Sequence, residues 1–411
     1  MNIRGIVIKN IFWMLLERGT QLVSGILISA LLARGLSKTG FGMFQYVQSL
    51  ITIFGSIVII CGSEIVVPML VNQKREMQHM TLINVFILRI LASSLAYILL
   101  LSFVFFVIHD LNVLRVSSIL GLTFFFREPF GVISAWLQAR TYNRPAVIIS
   151  IAATCTKLVL IIVGYYLKLG ILFFALALFL ETFILSIGLL IYYILNARKE
   201  KLVFRFRLRL IKKIAMLGGV FWVGLILQAL FRRVDQLLLK HFLSFDKIAT
   251  YGAAMQITEN FSLIAPIIAS SVAPMYIFSI KAAENVRKNL FKVLLIMLGI
   301  SLAGSIGVSS LSPFIVKIIF GKGFNETSRI LSYSIFISVL VYIDAGLNLL
   351  ILKMRAARFL TIKWMLALAA AVITDLILIP KYNEMGAVAG YLAGYLVVVV
   401  FGFFVVRYKY K

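Results

Sequence analysis

Charge of one sign is scarce in this chain. Among 411 residues there are 15 Asp and Glu against 41 Lys and Arg, and charged residues of both signs make up only 14%. A soluble domain carries roughly 25% charged residues, so a water-exposed globule is excluded. Cysteine is nearly absent: Cys61 and Cys155 both fall inside apolar runs, which predicts buried thiols rather than a disulfide framework. Only three His occur (His79, His109, His241), with no H-E-x-x-H or C-x-x-C spacing, so no metal or redox centre is expected. No G-x-x-x-x-G-K-[ST] run exists, so the chain has no phosphate-cradling loop for ATP. No cofactor is expected. The longest external loop, near Pro313–Ile330, is too short to fold the acid–base machinery of a membrane polymerase or glycosyltransferase. An enzyme is therefore not expected. No cleavable signal peptide is expected either, because the first apolar run lacks a small-residue cleavage site.

What is present is apolar length. The hydrophobic fraction is 62%, and the mean hydropathy is +1.03. The runs predict about twelve spans, at 11–34, 44–71, 83–108, 117–139, 146–167, 170–196, 214–239, 249–279, 290–312, 331–352, 360–379 and 386–406. The chain also repeats itself. Leu36-Ser37 and Phe44 recur as Leu243-Ser244 and Tyr251, an offset of 207. Pro68-Met69 recurs as Pro274-Met275, Arg140 as Arg355 and Gly170 as Gly386, in the same order. The expected fold is all-α integral membrane, with two parallel six-helix bundles about a central cavity. The expected division is 1–196, a basic cytoplasmic linker at 197–213, and 214–411. In the linker Phe204–Leu210 alternates apolar and basic residues, which suits a stretch lying on acidic lipid headgroups.

Of the 41 Lys and Arg, 25 fall in the termini and the loops after even-numbered spans, 10 in the loops after odd-numbered spans, and six deeper within spans. That bias places both termini in the cytoplasm. Trp13, Trp136 and Trp364 lie near cytoplasmic span ends, where an interfacial belt is expected. The net charge of +26 follows from this topology and from attraction to anionic lipid, so no nucleic acid partner is expected.

Polar residues inside the spans fall on helix faces. Arg18, Gln21, Gly25 and Ser29 step by three or four. So do Gln45, Gln48, Thr52 and Ser56, then Arg127, Gly131, Ser134 and Gln138, then Gly224, Gln228, Arg232 and Asp235. Small and amide residues also serve ordinary helix packing, and Glu17–Arg18, Arg127–Glu128 and Arg233–Asp235 are candidate structural ion pairs. As a set, the faces point to a polar cavity. The expected substrate-contacting residues are Arg18, Gln21, Gln45, Gln48, Arg127, Gln138, Lys157, Gln228, Arg232 and Arg233. Candidate ion-coupling acids are Glu64, Asp235, Glu259 and Asp344; permanent neutralisation of neighbouring Arg is the competing reading. Pro68 and Pro274 each permit a helix kink.

Asn10-Ile-Phe-Trp13, Leu32-Ala33-Arg34-Gly35-Leu36 and Gly40-Phe-Gly42 resemble the opening of Wzx-type polysaccharide flippases, of the multidrug/oligosaccharidyl-lipid/polysaccharide exporter superfamily. Ser37 stands where that family usually has Gly. Arg233-Val-Asp235 with the later Ile248-Ala-Thr-Tyr251 resembles a second family motif, with Ala249 in place of Gly. The resemblance implies a flippase that carries an undecaprenyl-diphosphate-linked oligosaccharide across a bacterial plasma membrane by alternating access, for O-antigen, lipopolysaccharide or capsule. It implies membrane lipids, a polysaccharide polymerase and chain-length proteins as partners, and proton or sodium coupling. A cation-coupled multidrug exporter of the same superfamily is the alternative, and a membrane glycosyltransferase or polymerase a weaker one. The topology is testable by cysteine labelling. Lys201→Cys and Lys409→Cys are expected to resist an impermeant reagent applied from outside; labelling of both would reverse the orientation.

Overall fold

The protein's structure is a computed structural model that describes residues 3–197, 206–273, 277, 283–353 and 357–409. Pro274, Met275, Arg355 and linker residues 198–205 lie outside them. Among the described residues there are helices and no strand. The elements in chain order are α1 (Ile3–Gly35), α2 (Lys38–Val58), α3 (Ser63–Val71), α4 (Arg75–Phe103), α5 (Leu111–Gly121), α6 (Thr123–Ala139), α7 (Arg144–Tyr166) and α8 (Ile171–Ala197). There follow α9 (Leu208–Phe242), α10 (Phe245–Ser262), α11 (Ile264–Ala273), α12 (Ala283–Ser310), α13 (Ser312–Ile319), α14 (Asn325–Ser334), α15 (Ile337–Lys353), α16 (Ala357–Tyr382) and α17 (Glu384–Lys409).

Nine of the described helices are long and apolar enough to cross a membrane, or eleven if two bent pairs each count as one span. Over the described residues the twelve apolar runs fall mainly on helix, with a break at 59–62 inside the second. The run at 249–279 is split between α10 and α11, and that at 331–352 bends by 42° between α14 and α15. Large apolar side chains such as Leu95, Ile98, Phe106, Val159 and Phe404 point outward, as lipid contact requires. The segment expected to be an external loop near Pro313–Ile330 is instead helical, as α13 and the start of α14, with Pro313 in the first turn of α13. Chain reversals fall at left-handed residues, His109, Thr141, Lys168 and Asn383. The carboxylate of Asp110 caps α5 through the backbone N–H groups of Asn112 and Val113.

The chain divides into two compact units. One holds Met1–Leu36 and Leu50–Trp222; the other holds Ser37–Ser49 and Val223–Lys411. The division departs from the sequence boundaries in two places, since 37–49 joins the second unit and 214–222 the first. In the first unit α7 packs on α1 and α8, and α6 on α3, α4 and α8. Its core gathers Val66, Leu70, Val85, Ile133 and Leu189. In the second unit α16 and α17 form a tight pair, and α15 packs on α11, α12 and α17 around Met297, Tyr342 and Leu347.

Within the second unit the start of α2 lies along α10 at matching positions of the sequence repeat. Thr39 donates to Asp246 over 2.6 Å, a separation of 207 residues. A side-chain carbon on Gly42 would lie 1.9 Å from the Phe245 carbonyl oxygen and 3.1 Å from the amide of Ala249, again 207 residues on. Only glycine permits that approach.

Two sequence expectations are corrected by burial. Trp136 and Trp364 are buried inside the units rather than set in an interfacial belt. Arg140 lies over the Trp136 ring, and Lys363 over that of Trp364. Cys61 is buried, but Cys155 is exposed on the apolar outer face of α7.

Between α2 and α3 the helix breaks at Cys61, which is left-handed. The freed carbonyls have no water to turn to at membrane depth. Arg89 of α4, only 3% exposed, supplies donors: Nη2 to the Cys61 carbonyl (2.7 Å), Nε to that of Ile60 (3.5 Å) and Nη1 to that of Glu128 on α6 (2.6 Å). Trp222 Nε1 donates to the Ile57 carbonyl at 3.1 Å. Replacing Arg89 by Ala strands several buried carbonyls together and is expected to cost about 3 kcal/mol, read as a lower melting temperature of the detergent-solubilised protein. Melting at the wild-type temperature would refute the role.

Candidate functional site

Parts of three of the four polar faces line a pocket inside one unit or the other. In the first unit Gln21 and Gly25 of α1, Arg127 of α6, Ser150, Thr154 and Lys157 of α7 and Glu181 of α8 surround about 280 Å³. Lys157 is spoken for: its Nζ lies 2.6 Å from Glu181 Oε2, and Thr154 donates to the other carboxylate oxygen at 3.0 Å. Arg127 is exposed. Its sequence neighbour Glu128 turns to Arg89, 4.0 Å away, so the expected Arg127–Glu128 pair does not form. Arg127 is therefore the cation this pocket offers to a ligand. Arg18 is exposed on α1 and lines neither this pocket nor the second one. Gln138, at the end of α6, is exposed and likewise lines neither.

The second unit holds a larger pocket of about 610 Å³, lined by Gln228, Arg232 and Arg233 of α9, Glu259 of α10, Asp344 and Asn348 of α15 and Tyr391 and Tyr395 of α17, among others. Arg233 forks onto Glu259, with Nη1 and Nη2 at 3.0 and 2.8 Å from its two oxygens. The partner is thus Glu259, not Asp235. Asp344 accepts from the Nζ of Lys363 at 2.8 Å and from Asn348 Nδ2 at 2.8 Å, while Asn348 Oδ1 takes a second hydrogen bond from Lys363 at 2.7 Å. Lys363 is fully buried. In the sequence it reads as a base at a span end; its partner 19 residues earlier is what holds it inside. Arg232 has a buried Nε with no acceptor, and Tyr391 and Tyr395 lie beside its guanidinium.

Gln45 and Gln48 do not open onto these pockets. Gln45 donates to Gln256 at 3.2 Å within the second unit, and Gln48 is half-buried. Among the coupling acids, Glu64 is exposed at the start of α3. Glu259 and Asp344 are paired as described. Asp235 is buried, bound by the Tyr251 hydroxyl and by the backbone N–H of Gln236. The acid that spacing did not single out is Asp375 on α16. It is 0% exposed and neither oxygen has a hydrogen-bond partner. A side-chain carbon on Gly390 would fall 1.8 Å from its Oδ1, so glycine lets α17 close over the carboxylate. Among the described residues no three His, Cys, Asp or Glu side chains gather to hold a metal.

This all-helical fold is shared with solved transporters. A multidrug-resistance MATE transporter of the MOP superfamily, in an inward-facing conformation, superposes with a TM-score of 0.74 at 14% identity, over 96% of this chain and 94% of that one. The lipid II flippase MurJ, in an inward closed conformation, gives 0.76 at 14% identity over 97% and 87%. A MOP-superfamily transporter from Pyrococcus furiosus, reported with a binding pocket of reverse polarity, gives 0.64 at 12% identity over 99% and 96%. No curated protein sequence matches. Residues 7–277, more than half the chain, match the family model of polysaccharide biosynthesis proteins, and the chain belongs to that family.

The Asp344–Lys363 pair generates a stability prediction. Asp344→Ala leaves a buried ammonium without a counter-ion and is expected to destabilise by about 3–5 kcal/mol. Adding Lys363→Met should recover much of the loss. Thermal melting of both variants in detergent checks this, and a double variant no more stable than the single one would refute the pairing.

Proposed function

We propose that the protein is a flippase that moves an undecaprenyl-diphosphate-linked oligosaccharide repeat unit from the cytoplasmic to the outer leaflet of a bacterial plasma membrane. It works by alternating access, with both termini cytoplasmic, and feeds a polymerase and chain-length proteins that build O-antigen or capsule. The observation that carries this reading is the state of the charges in the pockets. Glu259 and Asp344 are bound by Arg233 and Lys363, whereas Arg127 keeps its guanidinium and Arg232 an unpartnered Nε for a ligand. A cation exporter needs a free carboxylate in its pocket. An anionic, hydroxyl-rich substrate needs Arg, whose planar fork matches phosphate, together with amides. Family membership supports a polysaccharide substrate.

In this reading gradient coupling falls to Asp235 and Asp375 rather than to Asp344. A carboxylate buried without a donor, as that of Asp375 is, takes up a proton or a small cation, and Asp235 is a second buried acid of the same unit. In reconstituted vesicles Asp375→Asn should abolish the response of transport to a proton or sodium gradient while leaving substrate binding intact; a normal response would remove Asp375 from the role.

Deletion of the gene tests the function itself. Complete lipid-linked repeat units should accumulate facing the cytoplasm while surface glycan is lost. Complementation with Arg127→Ala should restore about a tenth of the glycan or less, by loss of a charge-assisted contact, and Arg127→Lys should fall between. Unchanged glycan with new drug sensitivity would replace this reading with an exporter.

A further inference from the structure

The larger pocket is not symmetric in what it offers an anion. Arg233 has both terminal nitrogens on Glu259. Asp344 has Lys363 and Asn348. Once these pairs are struck out, one positive charge remains, on Arg232, with a buried Nε that has no acceptor. Tyr391 and Tyr395 flank it as neutral phenols, with Tyr395 hydrogen-bonded to the guanidinium, and Glu259, already paired with Arg233, also acts on it, so the unpartnered Nε is what is left for a ligand. A buried donor without an acceptor is costly until a ligand supplies one. The remainder of the lining contains Gln228, Thr258, Asn260 and Ser262, side chains that hydrogen-bond hydroxyls. At about 610 Å³ the pocket has the size of a small-ligand site.

We propose that this pocket holds a sugar of the repeat unit bearing a single carboxylate, of the hexuronic-acid class, with that carboxylate on Arg232. The inference rests on the flippase reading and gives it a substrate class. Two sources of oxyanion compete for Arg232, the sugar and the lipid diphosphate. The carboxylates of Glu259 and Asp344 decide between them. Each keeps lone pairs that accept from sugar hydroxyls, which are donors. A diphosphate carries more than one negative charge, which exceeds the single charge left on Arg232, and it brings no comparable donors to the two paired carboxylates. A monoanionic sugar neutralises the one remaining charge and uses the carboxylates as acceptors.

Binding to the purified full-length protein in lipid nanodiscs tests the assignment. The probes are an undecaprenyl-diphosphate-linked disaccharide ending in glucuronic acid, its methyl ester, and undecaprenyl diphosphate alone. The acid is expected to bind at least ~10-fold more tightly than the ester, as a charge-assisted hydrogen bond in a buried site would give. In Arg232→Gln that ratio should fall toward one, while the affinity for undecaprenyl diphosphate alone stays unchanged. Equal binding of acid and ester by the unaltered protein overturns the proposal, and this comparison needs no variant to fold. An Arg232→Gln protein that loses undecaprenyl diphosphate as strongly as the acid also overturns it, because Arg232 then holds phosphate; the flippase reading survives that result. An unaltered protein that binds none of the three overturns both.

Discussion

A bilayer gives a broken helix nothing to bond with, and much of this molecule is arranged around that constraint. The span from Lys38 to Val71 stops being helical near Cys61, and the exposed carbonyls are met by one guanidinium, that of Arg89. Because the same group also reaches the Glu128 carbonyl, the break in one span is tied to α4 and α6. The cost of a charge at membrane depth is offset there by three acceptors and a carboxylate at 4.0 Å. Ser93 repeats the device on a smaller scale, donating to the Phe124 carbonyl at 2.7 Å. Polar groups in these helices thus serve first to close the backbone's own account.

The same constraint sorts the remaining charges. Lys157 with Glu181, Arg233 with Glu259, and Lys363 with Asp344 are each satisfied at hydrogen-bond distance inside their unit. Such pairs are weak sources of net stability, since desolvation consumes most of the Coulomb gain. Their consequence is subtraction: whatever is left after pairing is what a ligand meets. In the first unit's pocket the remainder is Arg127, in the second unit's pocket Arg232. The two units therefore differ in what they leave unpaired, an exposed cation in the first pocket and a pocket of mixed charge in the second.

Apolar length made the spans legible in the sequence, because about 20 apolar residues have few alternatives to a membrane helix. Of the residues that helix-face spacing singled out, Gln21, Arg127, Gln228 and Arg232 line pockets. Pairing was legible only in part. Arg127–Glu128 and Arg233–Asp235 are one and two residues apart, and side chains at those spacings point to different sides of a helix. Their real partners come from other helices, and sequence order does not reveal them. Lys363 was hidden for a related reason: near a span end a base reads as loop, and only its contact with Asp344 shows otherwise. Asp375 stood alone on an apolar helix, with no polar neighbours at helical spacing to draw attention to it.

The repeat offset carries more structural information than its few identities suggest. Positions 39 and 246, 42 and 249, and 45 and 252 are all separated by 207 residues, and each pair is in contact within the second unit. Matching positions meet each other only where two related helices run side by side along the axis that relates them. Along such a seam each side chain confronts its own counterpart, so two large residues at one level would collide. The observed pairs avoid this: Gly42 with Ala249, and Gln45 with Gly252, put small against small or small against large. Substitution on one side of the seam is thereby coupled to residue size on the other. That constraint couples the sequence of α2 to that of α10, the helix that also carries Glu259.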